Sequence, residues 1–250
     1  MTSLVFRATR AWAAQSSTVR GWRERRYRFF IERCHVRPGE RILDVGTGAG
    51  GALERFNRTN PIVAVDLEPI PSEWLSQPNV TVERADATDL PFGDGEFPVV
   101  FSSSVIEHIP RKLQSVFAQE IRRVGVRYYV QTPNRWFPIE PHYQLPLFQF
   151  LPRRLRRFLN RHFTLGWREK GNWEEINLLS GRDLRRLFPD AEIHRERLFG
   201  LTKSLMLVRS DALKAHSRGA GTPSSEPALG GSQTTPQISS LPLSRQRLTD

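Results

Sequence analysis

The chain has 250 residues, with 37 Lys plus Arg against 26 Asp plus Glu, a formal charge of +11 and 38% hydrophobic residues. It has no run near the roughly 18 apolar residues of a membrane span and no secretory apolar region with a small-residue cleavage site, so we expect neither an integral membrane nor a secreted protein. The single cysteine, Cys34, excludes an intrachain disulfide and a thiolate zinc site and suits a reducing compartment.

Residues 1–23 carry four Arg and no acid, a composition compatible with a transit peptide, although a helix covering a ligand pocket is the preferred expectation. In residues 20–35, Tyr27, Phe30, Ile31 and Cys34 fall at i, i+3, i+4 and i+7, which predicts a helix ended by Pro38-Gly39. Short apolar runs follow at Arg41 to Val45, Ile62 to Asp66, Val80 to Val82, Phe97 to Ser102 and Tyr128 to Gln131. Strands alternating with helical stretches predict an α/β fold with a parallel sheet covered on both faces. Leu151 to Phe163 is read as a basic amphipathic helix, with Leu151, Leu155, Phe158, Leu159 and His162 on one face and five Arg around the rest. It is expected to bury that face as a lid or to dock on an anionic membrane. Ser180 with Asp183 marks a helix start, and strands near Ala191 to Leu198 and Lys203 to Val208 form an antiparallel edge pair. Residues 216–250 have no aromatic residue and are expected to be disordered.

The charge is uneven. Residues 1–37 hold nine Arg against two Glu and residues 150–170 seven bases against one Glu, whereas residues 38–110 hold four Arg against twelve carboxylates. That acidic block contains Asp44-Val45-Gly46-Thr47-Gly48-Ala49-Gly50-Gly51, a glycine-rich run between a strand and a helix that lets a ligand approach the backbone. Gly46, Gly48 and Gly51 also satisfy a dinucleotide fingerprint. Asp66, at the end of the second strand, can accept both ribose hydroxyls under either reading. Asp44 discriminates: a carboxylate ahead of the loop repels a pyrophosphate and favours a ligand bearing an ammonium and a sulfonium. Asp86, after the third strand, is placed to accept from an adenine amino group.

With these residues the chain resembles the class I S-adenosylmethionine-dependent methyltransferases of the small-molecule, methyltransferase-11-like group, over about residues 36–210. Arg41 to Gly50 fits the acidic residue and glycine loop, and Val65-Asp66 fits the ribose-binding strand end. Ala85-Asp86-Ala87 with Leu90-Pro91-Phe92 looks like the adenine loop, and Ser103 to Ile109 like the segment after the fourth strand. The resemblance implies a doubly wound, mostly parallel seven-stranded sheet, S-adenosyl-L-methionine as cofactor and no metal. It assigns cofactor binding to Asp44, Gly46, Thr47, Gly48, Gly50, Asp66, Leu67, Asp86, Ala87 and Ser103. Pro98 departs from the family, standing where Asp is usual, and is expected to be tolerated at a strand start. The organisation expected is a helical segment at 1–35, the cofactor domain at 36–210 with a lid insertion at about 135–178, and a low-complexity tail at 211–250.

A sulfonium-bound methyl is already electrophilic, so transfer mainly needs an oriented nucleophile and exclusion of water. For a hydroxyl or ammonium acceptor, His108, Glu140 and His142 are the candidate general bases. The expected function is methyl transfer to a small-molecule acceptor, anionic or lipid-linked, by a cytoplasmic protein with peripheral membrane contact through 151–163. The rival enzyme is an RNA or other nucleic-acid methyltransferase. It is disfavoured because Ser102-Ser103-Ser104 stands where an Asn-Pro-Pro-Tyr-type tetrad belongs and no RNA-binding module is recognisable. A non-catalytic binding protein on the same fold is the alternative of another class.

Overall fold

The computed structural model describes residues 17–48, 50–163, 171 and 173–210. The N-terminal residues 1–16 and the expected disordered tail at 211–250 lie outside them.

All four residues of β1 (Ile42–Val45) are buried, because the strand is hydrogen-bonded on both edges and covered on both faces. It pairs in parallel with β2 (Ile62–Asp66) and with β4 (Phe97–Ser103); β3 (Val80–Arg84) pairs in parallel with β2, and β5 (Gly125–Pro133) with β4. The expected edge pair is β8 (Glu192–Leu198) and β9 (Leu201–Arg209), joined at Phe199-Gly200, with β9 antiparallel to β5. The seven-stranded order is β3-β2-β1-β4-β5-β9-β8. Ligand crevices of such sheets open beyond the strand C-termini where the order reverses, here between β1 and β4.

Alternation along the strands sends side chains to two cores. Leu43, Val45, Val63, Val65, Val100 and Val130 face α3 (Gln114–Val124) and α5 (Gly181–Leu187). Ile42, Ile62, Ala64, Val99, Phe101 and Tyr129 face α1 (Ser17–Arg33) and α2 (Gly51–Phe56). Phe30 and Cys34 of the predicted apolar stripe are fully buried, and Tyr27 and Ile31 pack at its margin. A capping box starts α5: the Ser180 hydroxyl accepts from Asp183 N–H, and the Asp183 carboxylate accepts from Ser180 N–H at 2.9 Å. Pro98 is the second residue of β4 rather than its first. The pairing with β1 begins only at Val99, so the missing N–H interrupts no bond to that neighbour.

Between β5 and α5 the chain forms a hairpin, β6 (Ile139–Glu140) with β7 (Leu145–Pro146), a 3₁₀ turn at Phe148–Phe150, and α4 (Arg153–His162). These pack on a small core of Tyr143, Phe148, Ile176 and Leu178. The single buried face expected for the basic helix is not what forms. The helix begins at Arg153, leaving Leu151 before it, and Leu159 packs only partly. Leu155 is 42% exposed and Phe158 55%, His162 is exposed, and the buried residue of α4 is Asn160. A ten-residue helix with five Arg supplies too narrow an apolar stripe to seat all of these side chains.

Candidate active site

Gly46, Gly48 and Gly50 all take positive φ (77°, 56° and 80°), the region that only glycine adopts cheaply. The space beside two of them is closed: a Cβ at Gly46 would collide with Val105, and one at Gly50 with the Trp74 indole. Asp44, 2% exposed, lies beneath this loop and accepts from the Thr47 hydroxyl at 3.0 Å. Burial pushes its carboxyl up to about 7; the Thr47 bond pulls the other way and the Asp66 charge adds to the rise. Asp66 Oδ2 accepts from Gly48 N–H at 2.8 Å and Oδ1 from Glu68 N–H at 3.0 Å. Each oxygen keeps a lone pair for a ribose hydroxyl. Asp86 is exposed and holds the Thr88 N–H and hydroxyl, both at 2.8 Å. Leu67 is exposed and Ala87 half-buried. Of the ten residues named for the cofactor, Ser103 is already engaged within the sheet. Its hydroxyl turns toward β5 and donates to Gln131 Oε1 at 2.7 Å.

Ser104 follows β4 with φ 60°, an uncommon value for a non-glycine residue, and begins the turn that carries Val105 against Gly46 and, three residues on, His108. The turn is pinned by Gln114 Nε2, which donates to the Ile106 carbonyl at 3.0 Å, and by Asn177 N–H donating to the Glu107 carbonyl at 2.6 Å. The three candidate bases come together here although 34 residues separate His108 from His142. The His108 and His142 rings meet edge to face with centroids 5.0 Å apart. His142 Nδ1 lies 2.8 Å from Glu140 Oε1, Glu140 Oε2 accepts from Tyr143 N–H at 2.6 Å, and His108 Nδ1 pairs with Glu174. Glu140 is thus a buried orienting partner of His142 rather than a group open to a substrate.

Four participants were not singled out from the sequence. Trp74 covers the glycine loop, its buried indole nitrogen without a partner among the described residues. Glu174 lies far along the chain from His108. Glu107 is fully buried; its Oε2 accepts from the Thr132 hydroxyl at 2.9 Å and its Oε1 has no partner among the described residues. Arg26 reaches from α1 to Glu196 Oε2 at 2.6 Å, to Ser204 and to Gln131. Only the turn residues next to a known motif could have been suspected from spacing.

Residues 43–126 match the family model described as a methyltransferase domain. Over those residues the chain is similar to methyltransferase domains. An uncharacterised methyltransferase of Synechocystis is 31% identical over 102 residues, covering 39% of this chain and 48% of that protein. The 2-methyl-6-phytyl-1,4-hydroquinone methyltransferase of Synechocystis is 39% identical over 95 residues, 35% of this chain and 29% of its own length. The chain thus spans less than half the length of these curated relatives. Among solved structures, the Burkholderia thailandensis 1,6-didemethyltoxoflavin-N1-methyltransferase, with S-adenosylhomocysteine bound, superposes with a TM-score of 0.52 at 13% identity. The match covers 84% of this chain and 90% of that one, a likeness of fold. The stretch so matched contains the glycine loop, Asp66, Asp86 and His108, and stops short of the insertion that supplies Glu140 and His142.

Proposed function

We infer that the chain transfers a methyl group from S-adenosylmethionine to a small-molecule acceptor held between the turn after β4 and the insertion. The carrying observation is that Val105 rests on Gly46 while His108, in the same turn, meets His142 of the insertion. One turn thus links the glycine loop to the imidazole pair, which supports a shared site. The residues present suit the cofactor: the loop accepts no Cβ at Gly46 or Gly50, the Trp74 indole nitrogen has no acceptor among the described residues, and Asp44 sits where a cation would relieve its burial. In this reading Asp44, Gly46, Thr47, Gly48 and Gly50 hold the methionine end, Asp66 the ribose and Asp86 the adenine amino group, with Leu67 and Ala87 beside the ring. When bound, S-adenosylmethionine supplies an electrophilic methyl carbon on its sulfonium.

His142, oriented by Glu140, accepts the acceptor's proton, and His108, held by Glu174, positions the acceptor. The insertion shields the crevice from water. His142→Ala is expected to lower turnover by roughly 10²- to 10⁴-fold while calorimetry gives unchanged S-adenosylhomocysteine affinity. The acceptor can be found by incubating metabolite and lipid extracts with a deuterium-methyl-labelled donor and reading labelled products by mass spectrometry. Unaltered turnover of that acceptor by the variant would remove His142 from the mechanism.

The acceptor is an apolar or lipid-linked molecule taken at an anionic membrane surface. Trp136, Leu147, Phe150, Leu155, Phe158 and Phe163 are each between 42% and 65% exposed within the insertion, interleaved with the five Arg of α4. This combination suits insertion of apolar side chains beneath anionic headgroups. The relative named for a phytyl hydroquinone supports an apolar acceptor. Sedimentation with anionic vesicles tests the docking.

A further inference from the structure

The geometry points to a divalent transition-metal site formed by Glu107, His108 and His142. One ligating atom from each lies within 4.8 Å of the others. The donors come from the turn after β4 and from the insertion, so the fold, rather than a local run of sequence, assembles them.

Two further observations indicate an ion. Glu107 is fully buried, the Thr132 hydroxyl satisfies only Oε2, and Oε1 has no partner among the described residues. A buried polar atom left unpaired is costly, and a cation removes that cost. Each imidazole also meets a carboxylate through Nδ1: His142 with Glu140 at 2.8 Å, and His108 with Glu174. A carboxylate at one ring nitrogen fixes the tautomer, makes Nε2 the electron-pair donor and raises its basicity, the usual surround of a metal-bound histidine.

The donor set selects the class of ion. Two imidazoles and one carboxylate suit Zn²⁺, Co²⁺, Fe²⁺ or Mn²⁺, whereas Mg²⁺ and Ca²⁺ favour all-oxygen surroundings. Bonds of about 2.1 Å hold tetrahedral donors about 3.4 Å apart, so side-chain rotations of roughly an ångström close the site. Three protein ligands leave a coordination position for water or an acceptor oxygen, whose proton the ion makes easier to lose. The ion's part in turnover rests on the methyl-transfer reading and assigns His142 to the ion in place of the proton; its binding rests on these side chains alone.

The test uses the full chain, stripped with chelator and titrated with Co²⁺ while visible absorption is recorded. Saturation at one equivalent, with the spectrum displaced by Zn²⁺, is expected. His142→Ala and Glu107→Gln should each weaken Co²⁺ binding at least about 100-fold, and the outer Glu140→Gln by about 10- to 100-fold. His142 is partly exposed, so His142→Ala remains informative if Glu107→Gln fails to fold. Absence of saturable binding, or binding that survives both His108→Ala and His142→Ala, would overturn the site. Calorimetry with S-adenosylhomocysteine on the same samples separates the two readings. Cofactor-product binding without Co²⁺ binding leaves methyl transfer standing and removes the metal; Co²⁺ binding without it does the reverse.

Discussion

The Asp44 carboxyl, pushed up to about 7 by burial, links protonation to stability and, in its proposed role, to ligand binding. Its folded-state value lies above the ordinary carboxylate range, so the protonated form is the one the apo fold favours. That stability is fully present below about pH 4 and is lost as pH rises through about 7. In the proposed role, a ligand carrying ammonium and sulfonium groups would reverse the preference, because it would pair with the ionised form. At about pH 6, binding of S-adenosylmethionine should therefore release close to one proton, and affinity should rise toward about pH 7.5 and then level off. Calorimetry in two buffers of different ionisation enthalpy measures the released proton. In Asp44→Asn both the release and this pH dependence should vanish. Asp44 and the glycines could be read from the sequence because their roles are local, set by a strand end and a turn. The orphaned oxygen of Glu107 could not, since it depends on Thr132 of β5 satisfying one carboxylate oxygen and leaving the other.

At the scale of elements, α1 is fastened over the sheet by Phe30 in the core, by Cys34 just past its end, and by Arg26, whose Nε and Nη2 bond the two oxygens of Glu196 at 3.2 and 2.6 Å. Both side chains are about one-sixth exposed. The same guanidinium donates to Gln131 Oε1, which also accepts from Ser103 and Ser104, so it joins helix, edge hairpin and active-site turn. Arg26→Met should cost about 2–3 kcal/mol, somewhat below the range for fully buried pairs, and lower the melting midpoint by roughly 5–10 °C. In a double-mutant cycle with Glu196→Gln most of that loss should be shared; additive losses in thermal melts would show that the pair is not coupled. The helix was legible from its four-residue stripe. Its clamp was not, because Arg26 and Glu196 are 170 residues apart. For α4 the spacing of Leu155 and Phe158 marked an apolar face, but a face buries only where a partner surface exists.

Over the whole molecule, the acidic block of residues 38–110 carries the cofactor loop, and the basic stretches flank it in sequence. The proposed cationic cofactor and anionic surface would thus be attracted to opposite charges on one chain. Binding to vesicles containing phosphatidylserine should fall steeply with added salt, by roughly tenfold for each 1.4 kcal/mol of electrostatic attraction screened. Leu155→Ser with Phe158→Ser should weaken it further without changing S-adenosylhomocysteine affinity. Salt-independent binding, or none, in sedimentation would dispose of membrane docking.

The sequence by itself determined the order of strands and helices, the glycine loop, the three carboxylates around it and the resemblance they carry, because each is specified by neighbours within a few residues. Only the tertiary structure decided that His142 meets His108, that Glu140 orients one imidazole and Glu174 the other, and that Leu155 and Phe158 stay exposed. Those facts depend on how an insertion returns over the ends of β4 and β5, and so on contacts between residues tens of positions apart that no local pattern encodes.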